Sequence, residues 1–328
     1  MPRSALPAAA VLLLACLSFG GLGGCTYNET TDEWQFNLLS RNQEIDIGNS
    51  YGPELTQGYG GEVSDAGIRQ YVTNIGETMA ALTEGEDPDL PWTFTVLDSS
   101  VINAFALPGG KVFISRELAD NFVNEAELAS VLGHEIGHVT ARHANEGAQR
   151  QAGLQLTVTA VGAVLTGSES VGAAADLIAS GVGQAGSLFA LRYDRRQELE
   201  ADMLGIRYMT RAGYNPIGSY TAMQKLGELT GGGGNTPEFL STHPDPAGRV
   251  DRIREIIEDE HAGAFARPND NVFADRYQRE FLAPLRRLPP PREPQQSGEA
   301  ETQLRRRALA FASTWCAHCR EEAQANER

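Results

Sequence analysis

His134-Glu135-Ile136-Gly137-His138 leaves the middle of this 328-residue chain little choice of local structure. On an α-helix, two histidines four residues apart lie about 40° apart around the axis and one turn apart along it, so they project from one face. Two imidazoles so placed can share a single metal ion at roughly 2.0–2.1 Å each. Glu135 sits beside the pair, positioned to take a proton from metal-bound water instead of binding the metal. The pattern arises by chance in about one chain in a hundred of this length and composition, so its surroundings have to decide its meaning.

Those surroundings agree. Asn124 is a candidate N-cap and Glu127 stands three residues on, a capping-box arrangement. Leu128, Val131, Leu132, Ile136 and Val139 then recur with a helical period, which predicts one buried face. His143 is nine residues from His134, about 180° away on a continuous helix, and so reads as a surface or supporting residue. A metzincin is excluded, because its third histidine would fall at Ala144 and its glycine at Ala141.

A catalytic zinc needs a third protein ligand and an open position. The best supplier is the run Arg195 to Asp202, where Glu198 and Asp202 are four apart on one helical face and Glu200 points away. Glu198 reads as the ligand, with Asp202 orienting one of the zinc histidines through its other ring nitrogen. A merely charged, solvated helix face is the bland alternative, and the upstream histidines weigh against it.

Further segments bear a family resemblance. Leu90 to Asp98, Asn103-Ala104-Phe105-Ala106-Leu107-Pro108-Gly109-Gly110, Asn124 to Leu128, Thr140-Ala141-Arg142-His143, the Glu198/Asp202 pair and Thr242-His243-Pro244 follow one another in a familiar order. Together they cover roughly residues 38 to 258. The chain resembles the zinc metallopeptidase family of the CAAX prenyl protease and HtpX type, most closely its periplasmic BepA- and LoiP-like lipoprotein members. The resemblance implies an α+β, mainly helical, thermolysin-like (gluzincin) domain with a small hairpin or sheet beside the active-site helix. It also implies one zinc per chain, with Glu198 as third ligand. The tetratricopeptide repeats of BepA-like relatives have no counterpart here.

His243 lies beside Pro244 in a loop, ahead of Asp245 as N-cap and Pro246 at a first helical position. The resemblance makes it face the metal, either steadying the developing oxyanion or blocking the open position. The residues alone equally allow an exposed loop histidine. Arg249 pairs with a nearby acid or helps bind substrate, whereas His261 and His318 have no partner at ligand spacing.

Residues 103–115 read as two short strands, Ala104-Phe105-Ala106 and Lys111 to Ser115, around a Pro108-Gly109-Gly110 turn. An exposed edge there would bind a peptide by strand addition, through main-chain hydrogen bonds indifferent to sequence. Asn103, Ala104 and Phe105 are the candidate substrate-binding residues, although an ordinary core hairpin fits the same pattern.

The first 24 residues, with one charge at Arg3 and an apolar stretch from Ala5 to about Phe19, read as a secretory signal. Leu22-Gly23-Gly24-Cys25 resembles a lipoprotein cleavage box, which would make Cys25 the lipidated first residue; Leu13-Leu14-Ala15-Cys16 is a weaker alternative. Thr26 follows, so no acidic inner-membrane retention signal is visible, and a periplasm-facing outer-membrane anchor is expected. A formal net charge of −16 argues against nucleic acid and against docking on anionic lipid. No cysteine lies between Cys25 and Cys316, so the peptidase core has no disulfide.

The expected organisation is a signal over 1–24, a peptidase domain over 25–261 and a tail over 262–328. Residues 154–191, rich in Ala and Gly, read as paired small-residue helices beside the site, and Gly231 to Gly234 as a flexible loop. The tail has a candidate helix over 271–285, a proline-rich linker and a Cys316-Ala317-His318-Cys319 motif, better read as vestigial or as a local disulfide than as a working redox centre. The functional expectation is a zinc metalloendopeptidase degrading misfolded or unassembled envelope proteins. Its rival is a non-proteolytic or self-inhibited assembly factor for outer-membrane proteins.

Overall fold

A computed structural model describes residues 24–150, 193–231, 237–244 and 246–294. The signal segment ahead of Gly24, the 154–191 stretch, Gly232 to Gly234, Asp245 and the Cys316/Cys319 tail lie outside the described residues.

The described chain opens with a hairpin, β1 (Gly24–Asn28) and β2 (Glu33–Asn37), paired antiparallel. Helix α1 (Arg41–Gly58) starts at Ser40, whose hydroxyl and Gln43 form a complete capping box. Helix α2 (Ala66–Ala80) follows, with Asp65 capping Ile68 N.

The second sheet has the order β3-β5-β4, from β3 (Thr93–Leu97), β4 (Ala104–Leu107) and β5 (Lys111–Ser115). All five residues of β5 are buried, which suits the central place of its apolar Val112-Phe113-Ile114 run. β3 runs parallel to β5 and β4 antiparallel, so β4 is an edge strand. The β4–β5 turn falls where the Pro-Gly-Gly signal put it. Gly109 adopts φ 76°, and a Cβ there would stand 2.4 Å from Ile45 Cα, so the turn fits against α1 only with glycine.

Ser115 caps the short helix α3 (Arg116–Asp120), and Asn124 then caps α4 (Glu125–Thr140) by accepting from Glu127 N at 3.0 Å. The capping box is only half made. Glu127 reaches back to Val123 N, one residue beyond the cap. The expectation of a single buried face is also corrected, for every residue of α4 is buried. The cause is α5 (Arg195–Arg211), which closes over the polar side of α4 at main-chain contact distance. A Cβ built on Gly205 would stand 2.8 Å from His134 N, and one on Gly137 3.0 Å from Ala201 O.

Helix α6 (Ile217–Gly231), the short α7 (Glu238–Thr242) and α8 (Pro246–Glu260) complete the surround. Past them, α9 (Ala274–Tyr277), a π turn (Gln278–Leu282) and α10 (Ala283–Leu285) bury Tyr277, Phe281, Leu282 and Leu285 in the main core. Arg276 ties this segment to Glu125 at the start of α4. The protein is thus α+β and mainly helical, with a small sheet beside α4. Among the described residues, no helix is long and apolar enough to cross a membrane.

Candidate metal centre

Four side chains from three segments converge over α4. His134 and His138 come from the middle of that helix, Glu198 from the first turn of α5, and His243 from the end of α7, where it is the C-cap. Each offers one ligand atom, and the four atoms lie within 4.8 Å of one another, all buried. His134 Nε2 and His138 Nε2 are 3.0 Å apart. Glu198 Oε1 lies 3.5 Å from His138 Nε2 and 3.0 Å from His243 Nδ1, and His134 Nε2 stands 3.3 Å from His243 Nδ1.

The donors fit a zinc ion. Tetrahedral coordination at roughly 2.0–2.1 Å separates neighbouring donors by roughly 3.3 Å, close to the spacings here, and imidazole and carboxylate are zinc's usual ligands. Buried polar atoms that make no hydrogen bond also gather at this spot: both Glu135 carboxylate oxygens and His243 Nε2, the last 3.6 Å from Glu135 Oε1. Leaving such groups unsatisfied costs about 1–3 kcal/mol each, which a bound cation and its water would relieve.

Behind the donors lies a buried support. Asp202 Oδ1 is 2.9 Å from His134 Nδ1, on the ring edge away from the cluster. Arg249 donates through Nε to Asp202 Oδ2 at 2.8 Å and through Nη2 to Oδ1 at 2.6 Å, while its Nη1 makes an ion pair with Glu198 Oε2 at 2.6 Å. His138 Nδ1 lies 2.8 Å from His143 Nδ1, and His143 Nε2 is 3.0 Å from Glu200 Oε2.

The helical-wheel position of His143 is therefore superseded. α4 ends at Thr140, and Arg142 takes a left-handed φ of 60°, which swings the fully buried His143 back behind His138. Glu200 does point away from Glu198 and Asp202, but towards this histidine. The expected pairing of Arg249 with a nearby acid is met by Asp202 and Glu198. Tyr193 escaped sequence reasoning: nothing local distinguishes it, yet its ring stacks on His138 with centroids 3.8 Å apart.

Electrostatics follow from this burial. Desolvation pushes His138 well below its ordinary value and keeps it neutral, the form that binds metal. For Glu198 burial opposes ionisation, but His243 and Arg249 outweigh it and hold the carboxyl well below the usual range. Asp202 is likewise lowered against its burial by Arg249. For Glu135 burial outweighs the opposing pull of His243, 3.6 Å away, and raises it. His243 is raised despite burial, by Glu198 and Glu135.

A cavity of about 70 Å³ joins the cluster to the sheet edge, lined by Phe105, Leu107, Tyr193, Thr242 and His243 among others. Asn103 is buried just before β4. Its main chain is committed to Ser115, and its Nδ2 donates to Glu238 Oε1 at 3.1 Å, but its Oδ1 is buried without a partner. Phe105 stacks on Phe113 within the small core beneath α1. Ala104 is fully buried and pairs with Ile114. A larger cavity of about 720 Å³, between the β1–β2 hairpin, α1 and residues 84–87, contains none of the four donors.

Such a site, with a helical His-Glu-x-x-His pair facing a carboxylate from a second helix, defines the class of metal-dependent hydrolases. The chain belongs to peptidase family M48, whose pattern it matches over residues 68–257. That family uses zinc, in keeping with the donor set. The chain is 34% identical to the beta-barrel assembly-enhancing protease of Escherichia coli (strain K12) over 218 residues, 65% of this chain and 44% of that protein. The protein of the same name from Yersinia pestis is 31% identical over 239 residues, 72% of this chain and 48% of that one. The mitochondrial metalloendopeptidase OMA1 of Arabidopsis thaliana is 35% identical over 159 residues, 47% of this chain and 29% of that one. The chain thus spans less than half the length of these relatives.

Proposed function

We propose that this chain is a zinc metalloendopeptidase of the bacterial envelope that cleaves misfolded or unassembled proteins through a thermolysin-like arrangement. The observation that carries the reading is the pair of buried Glu135 oxygens, neither of which accepts a hydrogen bond, beside a complete zinc donor set. His134, His138 and Glu198 are the ligands. Bound zinc would polarise the scissile carbonyl and make its water more acidic.

Glu135 then works as the general base. Its carboxylate takes the proton of the attacking water and later delivers it to the leaving amine nitrogen. Burial raises Glu135, which brings it closer to that two-way task. Asp202 fixes the ring of His134, and the His143–Glu200 pair steadies His138. The free edge of β4, led by Asn103, Ala104 and Phe105, aligns an extended peptide across the site. The kinship with bacterial beta-barrel assembly-enhancing proteases and the lipobox-like Leu22-Gly23-Gly24-Cys25 support the envelope setting, with Cys25 as lipid anchor and the outer membrane as address.

One observation favours a self-inhibited form. His243 Nδ1 lies inside the donor cluster, 3.0 Å from Glu198 Oε1. In that position it takes the fourth corner, and the protein would bind unfolded chains without cutting them. Casein digestion by zinc-replete protein, with and without chelator and with zinc content measured, tests the main reading. Glu135→Gln should keep zinc and fold while losing about 10²–10⁴-fold in turnover. Unchanged cleavage by that variant would refute the role of Glu135.

A further inference from the structure

Three of the five large apolar side chains left exposed among the described residues lie on one small surface. Tyr27, Trp34 and Phe36 are 46%, 74% and 51% exposed. In the β1–β2 hairpin Cys25 pairs with Phe36 and Tyr27 with Trp34. Side chains alternate with period two, so Cys25, Tyr27, Trp34 and Phe36 share one face. The opposite face is polar and turned to the protein. Asn28 donates to Thr140 O at 2.9 Å, and Gln35 to Ala141 O at 3.2 Å. This is the reverse of a hairpin that folds by burying its apolar side.

We propose that the Tyr27/Trp34/Phe36 face is a membrane-docking surface that inserts into the interfacial layer of zwitterionic phospholipid. The choice of partner rests on the lipid-anchor reading: Cys25, opposite Phe36, would send its acyl chains out from this same face. Aromatic rings with polar tips favour the boundary between headgroups and acyl chains. Residues 24–37 contain no Lys or Arg and carry Glu29, Asp32 and Glu33, so nothing draws the hairpin to anionic lipid. The same acids would repel each other if two copies met face to face. Docking here also holds the end of α4, just past His138, one hairpin thickness from the membrane.

The test uses the chain as the cell processes it, reconstituted into phosphatidylethanolamine–phosphatidylcholine vesicles with brominated acyl chains. Subtracting the emission of Trp34→Phe from that of the wild type isolates Trp34. The proposal expects Trp34 emission to be lost relative to unbrominated vesicles, with casein cleavage unchanged in Trp34→Phe. A chain that floats with the vesicles while Trp34 stays unquenched overturns the docking face and leaves the anchor standing. Failure to float at all overturns both. Quenched Trp34 with Cys25 unmodified by intact mass upholds docking and overturns the anchor. Quenching confined to phosphatidylglycerol vesicles, or a doubled mass in detergent with Trp34 shielded, overturns the choice of zwitterionic lipid.

Discussion

Arg249 and Asp202 form a two-pronged ion pair at the base of the metal cluster, at 2.8 and 2.6 Å, with both side chains nearly inaccessible. The same guanidinium contacts Glu198, so one cation offsets two buried carboxylates. Arg249→Ala strands both charges. Removing one partner of a buried pair costs about 3–5 kcal/mol, and this loss is expected in urea unfolding together with reduced zinc content. A variant with native stability and a full complement of zinc would show the pair to be dispensable.

Glu198 and Glu200 lie two residues apart on α5 and do different jobs. Glu198→Ala should abolish stoichiometric zinc binding. Glu200→Ala acts only through His143 and His138, and outer contacts of this kind are worth about 10–100-fold in metal affinity. Zinc titration by calorimetry separates the two. Equal losses, or the reverse order, would reassign the ligand.

His243→Ala leaves His134, His138 and Glu198 in place and vacates the fourth corner. Casein cleavage should rise, with zinc content held. A fall in kcat with KM unchanged would point instead to His243 steadying charge on the reacting carbonyl.

Asp87 supplies a pH dependence remote from the metal. Burial lifts its carboxyl from 3.8 to about 6 even though Arg41 opposes the shift. The folded state therefore holds a proton that the unfolded state has lost between those values, and stability falls as pH rises through that window. The change amounts to at most about 3 kcal/mol. Asp87→Asn should gain on the wild type by up to that amount between pH 4 and pH 7, measured as the difference between their urea midpoints. A difference that is flat with pH would mean that Asp87 is ionised throughout.

The parts of this molecule fixed by local chemistry were legible in its sequence. The helix bearing His134 and His138 follows from spacing and from the Asn124 cap, and the β4–β5 hairpin from Pro108-Gly109-Gly110. Long-range geometry was not. His143 was placed by extending a helix that in fact stops at Thr140, because no residue there announces a break; the left-handed turn at Arg142 is held instead by Glu44 and Leu39, about a hundred residues away in the chain. The all-round burial of α4 was hidden for a similar reason. Its polar side is covered by the polar side of α5, so neither helix shows the uniform apolar pattern that a buried helix usually displays. Arg249 and Tyr193 matter only through partners supplied by α4 and α5.

The meeting of Gly133 and Gly137 with Gly205 and Ala201 sets how freely the candidate metal donors can move relative to each other. Where main chain touches main chain there are no rotamers to absorb a shift, so His134, His138 and Glu198 behave as a single rigid tripod. On the proposed reading, control would rest with the one donor outside that tripod, His243, at the end of a five-residue helix.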